Sequence, residues 1–280
     1  MKNIPLSFEF FPPKTADGIA NLRETRKKLS VFKPEFFSVT FGAGGSTRDR
    51  TMDAVFEIQK EGHAAAPHIS CISATKDEVR ELLTAYQEKG IKRLVTLRGD
   101  LPSGVVSVGD FKYANELVSF IRQETGDWFH IEVAAYPEVH PEARSVRKDL
   151  ANFKQKVDAG ANSAITQYFY NADAYFQFLE SCQKEGITVP IIPGVMPIYN
   201  YTQLARFSSM CGAEIPRWLR LRLEAYEDDL PSLRAFGVDV ISDLCEKLLA
   251  AGVPSLHFYT LNQAGVISKI INNVNLGSSK

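Results

Sequence analysis

The sequence predicts an α/β protein: a single (β/α)8 TIM barrel with extra helices between strands 7 and 8. Three observations predict it. Eight short β-rich runs alternate with longer amphipathic ones at a spacing of roughly 30 residues, the rhythm of parallel βαβ units. The chain has 280 residues, and a barrel of this kind fills about 250. No low-complexity linker divides it, so residues 1–280 read as one domain. A doubly wound open sheet shares the alternation, and periodicity alone does not separate the two. Eight units favour closure.

The strands are expected at 6–11, 36–40, 65–71, 92–97, 129–136, 163–169, 189–195 and 255–260. Most are rich in β-branched or aromatic residues. Between them lie helical patterns. "TKDEVRELLTAYQEKG" offers Thr75 as N-cap and Gly90 as C-cap. "SVRKDLANFKQKVDAGA" puts Leu150, Phe153 and Val157 on one face. The interval between strands 7 and 8 is too long for one crossover. It predicts added helices near 201–211 and 216–226, before a final barrel helix near 231–251.

Composition excludes several classes. Apolar residues make up 45% and charged residues 23%, with a net charge of −1. That is an ordinary globular balance with no basic excess for nucleic acid or an anionic membrane. No apolar run approaches the roughly 20 residues of a membrane span. The first strand begins almost at once, which leaves no room for a signal or transit peptide, so a cytoplasmic protein is expected. Cys71, Cys182, Cys211 and Cys245 form no CxxC pair and read as free thiols.

In a (β/α)8 barrel the active site lies at the carboxyl ends of the strands. Those ends carry Glu9, Thr40, His68, the run Arg98, Gly99 and Asp100, then Tyr136 and His140, Gln167, and Tyr259 followed by Asn262 and Gln263. Chains become polar wherever strands end, so each residue has a plain reading beside the functional one. Glu9 alternates with Phe8 and Phe10 and therefore points into the lumen. A carboxyl kept protonated there acts as a general acid; the alternative is a structural ion pair, for instance with Arg98. Asp100 also reads as a turn or N-cap residue in "GDLPSG". Gln167 can orient a polar heterocycle through its paired donor and acceptor, or be a satisfied core amide.

Other chemistries fit less well. "FGAGGSTR" has Gly42 and Gly44 but Thr47 where a dinucleotide fingerprint needs its third glycine, and no GK[ST]. It reads as a tight strand–helix turn. No lysine stands at a strand exit, which disfavours a Schiff-base enzyme, and no GxSxG elbow is present. His68, His130, His140 and His257 lack metal-ligand spacing, so no metal is expected. His130 and Glu132 share a strand face without forming a site.

The stretches "SFEFFPPK", "SVTFGAGGSTRDRT", "AAPHISCI", "LRGDLP", "AAYPEVHPEA", "KVDAGANSAITQYFY" and "HFYTLN", in this order, resemble the bacterial 5,10-methylenetetrahydrofolate reductases over about residues 6–262. The resemblance implies a cytoplasmic homo-oligomer with tightly but non-covalently bound FAD. NADH or NADPH would supply hydride to the flavin, and the flavin would pass it to the folate's methylene carbon. Glu9 matches the general acid, Asp100 the residue beside flavin and pterin, and Gln167 one that contacts folate or nicotinamide. Thr40 matches a position near the nicotinamide. The flavin contacts carry over onto Phe41, Ala43, His68, Arg98, Gly99, Tyr113, Ala114, Tyr136, His140, Ala143, Asp149, Asn152 and Lys156, and substrate-side positions onto Gln203, Phe207 and Gln263. Three positions depart: Gln155 stands in place of a basic residue, Gln263 in place of an arginine, and Phe41 in place of a tyrosine. Arg217, Arg220 and Arg222 offer charge that could replace the lost arginine. The alternatives are a proline-dehydrogenase type of FAD barrel and a non-catalytic folate- or flavin-binding protein.

Overall fold

The computed structural model describes residues 4–41, 45–99, 109–226 and 228–276, with the side chains of 45–47 left out. The strands are β1 Leu6–Phe10, β2 Phe36–Val39, β3 Ala65–Ser70, β4 Arg93–Leu97, β5 His130–Ala135, β6 Ser163–Thr166, β7 Ile191–Ile192, β8 Gly194–Val195 and β9 Leu256–Tyr259. The helices that follow β1 to β6 are α1 Ala16–Ser30, α2 Gly45–Lys60, α3 Lys76–Glu88, α4 Ala114–Thr125, α5 Val146–Asp158 and α6 Ala172–Lys184. After β8 come α7 Tyr201–Cys211, α8 Arg217–Glu224 and α9 Leu230–Ala250, and after β9 comes α10 Gly265–Asn273. The two added helices thus lie where the long interval predicts them. Among the described residues, no helix is long and apolar enough to cross a membrane.

All the strand pairs are parallel, in the order β7-β6-β5-β4-β3-β2-β1-β9-β8. β7 and β8 flank Pro193 on one continuous stretch of chain, so the two ends of this order meet and the barrel closes. Proline has no N–H to give the ladder. Its carbonyl still accepts from His257 N–H at 3.1 Å, and Gly194 N–H turns to Thr166 Oγ1 at 2.9 Å. The expected strand 189–195 is therefore one passage split into two short ladders. β6 ends at Thr166, three residues before the expected 169. There Tyr168 N–H is taken by the Gln167 side chain at 3.0 Å instead of by a neighbouring strand.

Strand alternation builds two cores. Phe8, Phe10, Phe37, Val39, Leu94, Ile131, Val133 and Phe258 face the helices and pack on Leu22, Leu29, Val55, Ile58, Leu117 and Leu248. Phe36, Ala66, Val95, Ile165 and Ile192 fill the lumen, with Leu97 and Tyr259 against them. The amino end of the lumen holds a polar network. Fully buried Glu132 accepts from Ser163 Oγ at 2.5 Å and pairs with Arg93, which also meets Glu35 at 2.5 Å. His130 Nε2 lies 2.6 Å from Ser163 Oγ. Because Arg93, His130 and Ser163 open their strands, this network lies away from the carboxyl mouth. That explains why His130 and Glu132 share a face without making a site there.

Gly194 marks the tightest point of closure. A Cβ there would lie 2.2 Å from Thr166 O and 2.6 Å from Tyr259 Cε2. Gly194→Ala is expected to lower stability at the upper end of the about 1–3 kcal/mol range of overpacked cores. Urea unfolding checks this, with an unchanged midpoint as the contrary result.

Candidate active site

Glu9 is the fourth residue of β1, opposite Ser38 on β2 and Tyr259 on β9. Its side chain keeps 13% of its surface exposed, and Oε2 lies 3.4 Å from His68 Nε2. A second imidazole, His257 Nε2, stands 3.8 Å away. Neither Nε2 has a hydrogen-bond partner among the described residues, which leaves two polar atoms aimed into the mouth beside the carboxyl. Burial pushes His68 down to about 4; Glu9 opposes the shift and His257 adds to it. His68 is therefore neutral at neutral pH. Arg98, the ion-pair alternative for Glu9, instead pairs with Glu142 at 2.6 Å.

Sequence reasoning missed His257. It sits in register with Ser7, and Ser7 Oγ holds its Nδ1 at 2.7 Å. The available signal was alternation: His257 lies two residues before Tyr259, on the same face. Gln167 follows β6 with Oε1 held by Tyr168 N–H, so its NH2 group is the end left to meet a ligand. Tyr259 completes this side. Its hydroxyl donates to Thr166 O at 2.7 Å, and its ring stands edge-on to His257 at 5.3 Å. Thr40 and Phe41, both half-buried, leave β2 beside Glu9, with Thr40 N–H bonded to Phe10 O at 2.9 Å.

A second group gathers at the exits of β4 and β5. Gly99 takes φ +83, and a Cβ there would stand 1.9 Å from Ser70 Oγ, so only glycine fits. The Tyr136 and His140 rings meet edge-on at 4.6 Å. His140 N–H donates to Asp149 Oδ2 at 2.9 Å, Ala143 N–H donates to His140 O at 2.9 Å, and His140 Nδ1 accepts from Glu142 N–H at 3.1 Å. Burial lowers His140, with Asp149 opposing. Lys156 reaches from α5 to donate to Ala134 O, with Nζ 6.0 Å from the Tyr136 ring centre. Burial pushes this ammonium down to about 8 against the pull of Asp149. Tyr113, at the N-cap of α4, is 57% exposed, next to buried Ala114, and Asn152 is exposed on α5.

The residues expected on the substrate side are spread more widely. Gln203 is exposed in the first turn of α7, where Asn200 Oδ1 caps its N–H at 3.0 Å, and Phe207 is half-buried one turn on. Gln263 lines a groove between α1 and α10 with Asn21, Lys28 and Asn272. Arg217, Arg220 and Arg222 are exposed on α8. Asp100 and Ala43 lie outside the described residues.

A closed parallel barrel with a carboxyl, two imidazoles and an oriented amide at its carboxyl mouth defines a (β/α)8-barrel enzyme. The chain belongs to the methylenetetrahydrofolate reductase family, whose model matches residues 1–275. It is 45% identical over 262 residues to the 5,10-methylenetetrahydrofolate reductase of Salmonella typhimurium, covering 93% of this chain and 87% of the relative. The Escherichia coli enzyme of the same name gives the same figures. A probable methylenetetrahydrofolate reductase (NADH) of Oryza sativa is 39% identical over 284 residues, across 96% of this chain and 48% of that one. Among solved structures, a Clostridium thermocellum protein described as binding two copies of 5-methyl-5,6,7,8-tetrahydrofolic acid shares the fold. Its TM-score is 0.67 at 18% identity, covering 98% of this chain and 94% of that one. Family membership decides for the reductase over the proline-dehydrogenase type.

The neutral His68 makes stability depend on acid. Its folded value of about 4 lies below the ordinary 6.5, so the unfolded chain binds the proton first. Stability is whole above pH 6.5 and falls as pH drops toward 4, by on the order of 3 kcal/mol from this residue. Urea unfolding across that window should show a shallower fall for His68→Asn than for the natural chain; parallel curves would refute the assignment.

Proposed function

We propose that this enzyme reduces 5,10-methylenetetrahydrofolate to 5-methyltetrahydrofolate with NADH or NADPH, using FAD bound without a covalent link. The observation that carries the reading is the Glu9 carboxyl, 3.4 Å from neutral His68 at the barrel mouth, in a chain 45% identical to named reductases. When bound, FAD takes hydride from the nicotinamide and supplies it to the folate's methylene carbon. The same reading makes the protein a cytoplasmic homo-oligomer, and its mass in solution tests the assembly.

The side chains at the β4 and β5 exits suit such a cofactor. A dinucleotide needs cations for its diphosphate, close backbone approach and flanking rings. Arg98 and Lys156 offer the cations, and Gly99, at φ +83 against Ser70, makes the turn at the β4 exit that only glycine allows. Tyr136, His140 and exposed Tyr113 offer the rings. Phe41, Ala114, Ala143, Asp149 and Asn152 border this cradle in the proposal, and Thr40 the nicotinamide. Ala43 and Asp100 keep the roles that the resemblance implies.

Glu9 is the group that passes a proton to the folate in this reading. It gives this proton to the ring nitrogen whose bond to the methylene carbon breaks, and the five-membered ring opens to an electrophilic iminium. His68, neutral at working pH, sets no fixed cation against the carboxyl. Gln167 presents its NH2 group to an acceptor on the pterin or the nicotinamide. Gln203 and Phe207 border the substrate from α7, and Gln263 stands near the tail of the folate.

Two measurements test this. Glu9→Gln should leave flavin reduction by the nicotinamide nearly intact and slow the folate half-reaction by about 10²–10⁴-fold, the usual weight of a general acid. Anaerobic stopped-flow of the two half-reactions separates them, and an equal loss in both would make Glu9 structural. Lys156→Met should weaken FAD binding by about 10–100-fold, the weight of a charge-assisted contact. In the natural chain, affinity should fall as pH rises through about 8, where the ammonium loses its charge. Flavin fluorescence titration reads both, and a flat pH profile would remove Lys156 from the diphosphate.

A further inference from the structure

One buried hydroxyl links the segment after β6, which carries Gln167, to the helix that carries Gln203 and Phe207. Tyr168, 3% exposed, and Ser208, 5% exposed, meet at 3.0 Å between Oη and Oγ. Cys211 Sγ, one turn further along α7, donates to the same Oη at 3.4 Å. Burial raises the phenol well above its ordinary value, so the contact is a neutral hydrogen bond at any working pH. Tyr168 also acts through its backbone, because its N–H holds Gln167 Oε1 at 3.0 Å. One residue thus holds the Gln167 amide with its main chain and α7 with its side chain.

α7 needs such a tie because it belongs to the inserted pair of helices between β8 and α9. Its carboxyl end is fitted to the loop between β5 and α5. Gly212, at φ +74, leaves room for Pro141, whose Cγ would stand 2.7 Å from an added Cβ, so a side chain there would meet this loop. Glu214 N–H donates to Glu138 Oε2 at 2.7 Å. The middle of the helix rests on buried Leu204 and Ser208. Gln203 and Phe207 are four residues apart and share a face, and Phe207 is bonded in sequence to Ser208.

We infer that Tyr168 is a positioning residue: its hydroxyl, meeting Ser208, sets where α7 lies and therefore where Gln203 and Phe207 border the substrate. The inference rests on the proposed reading of α7 as the substrate side. The pair acts on substrate fit, and Glu9 and the flavin cradle stay as they are. Ring packing of Tyr168 on Tyr259 at 6.3 Å and on Tyr170 at 5.9 Å survives loss of the hydroxyl alone.

The test compares Tyr168→Phe, Ser208→Ala and the double variant in flavin-loaded enzyme. Tyr168→Phe strands the Ser208 hydroxyl and Ser208→Ala leaves the phenol with Cys211 Sγ alone, whereas the double variant removes both hydroxyls and leaves Cys211 Sγ its contact with Ser208 O at 4.0 Å. Each single variant should raise KM for methylenetetrahydrofolate about five-fold, with kcat and flavin reduction by nicotinamide nearly unchanged. The double variant should return most of the way. Hydrogen exchange in α7 should quicken in the singles and slow again in the double. An unchanged folate KM in the singles overturns the inference, even with faster exchange, and so does a joint fall of KM, kcat and flavin retention with melting temperature. If the protein takes up no flavin and turns over no folate, the proposed function fails by itself. Exchange in α7 then judges the tie: unchanged rates in the singles overturn it, and faster rates restored in the double uphold it.

Discussion

The register of β1 is the constraint on which the rest depends. The strand is bonded on both sides, with Ser7 opposite Phe36 and His257, and Glu9 opposite Ser38 and Tyr259. Side chains alternate, so a slip of one residue would exchange every inward and outward position. Glu9 would then enter the layer between sheet and helices, and Phe8 and Phe10 the lumen. The outer face forbids this slip. Phe8 stacks on Phe37 at 6.0 Å and on Phe258 at 5.9 Å, and Phe10 on Phe37 at 5.5 Å. An apolar ridge on one face of the strand thus aims a carboxyl on the other.

Most of the fold was legible because periodicity is local. Leu150, Phe153 and Val157 declare α5 within one segment, and Thr75 declares its capping box with Glu78. The split of the seventh passage was half-legible: Pro193 announces a missing donor, but not that Thr166 would answer Gly194. In the site, Glu9 could be placed by alternation on its own strand. Alternation sets His257 on the same face as Tyr259, but its meeting with Glu9 depends on the β1–β9 register across some 250 residues of chain. Arg98 was legible as a cation at a strand exit. Its partner Glu142 lies in an irregular loop, where no period predicts contact.

The lumen shows how surroundings divide the same residue types between inert and reactive duty. At the amino end, burial works against ionised Glu132, yet His130, Arg93 and Ser163 outweigh it and hold the carboxyl below its usual range. Every oxygen there is committed, and the network is a plug with no capacity for transfer. At the carboxyl end, Glu9 faces imidazoles whose Nε2 atoms have no hydrogen-bond partner among the described residues, and 13% of its side chain stays open. An uncommitted carboxyl beside an uncharged ring can exchange a proton with a ligand. The plug below lets the barrel hold polar groups on its axis without a channel through it.

This division extends to what the reaction asks of the scaffold. In the proposed chemistry a nicotinamide and a folate use one flavin face in turn, so the mouth must accept two unlike ligands around one fixed proton donor. Glu9, His68 and His257 ride on strands bonded on both sides, the least deformable part of a barrel, and their spacing cannot follow the ligand. Gln203 and Phe207 ride on an inserted helix tied by a few polar contacts to the segment after β6 and to the His140 loop. In that chemistry accommodation falls to α7, and proton placement to β1. The added helices between the seventh passage and β9 would then be the site of adjustable fit in a barrel whose wall is rigid.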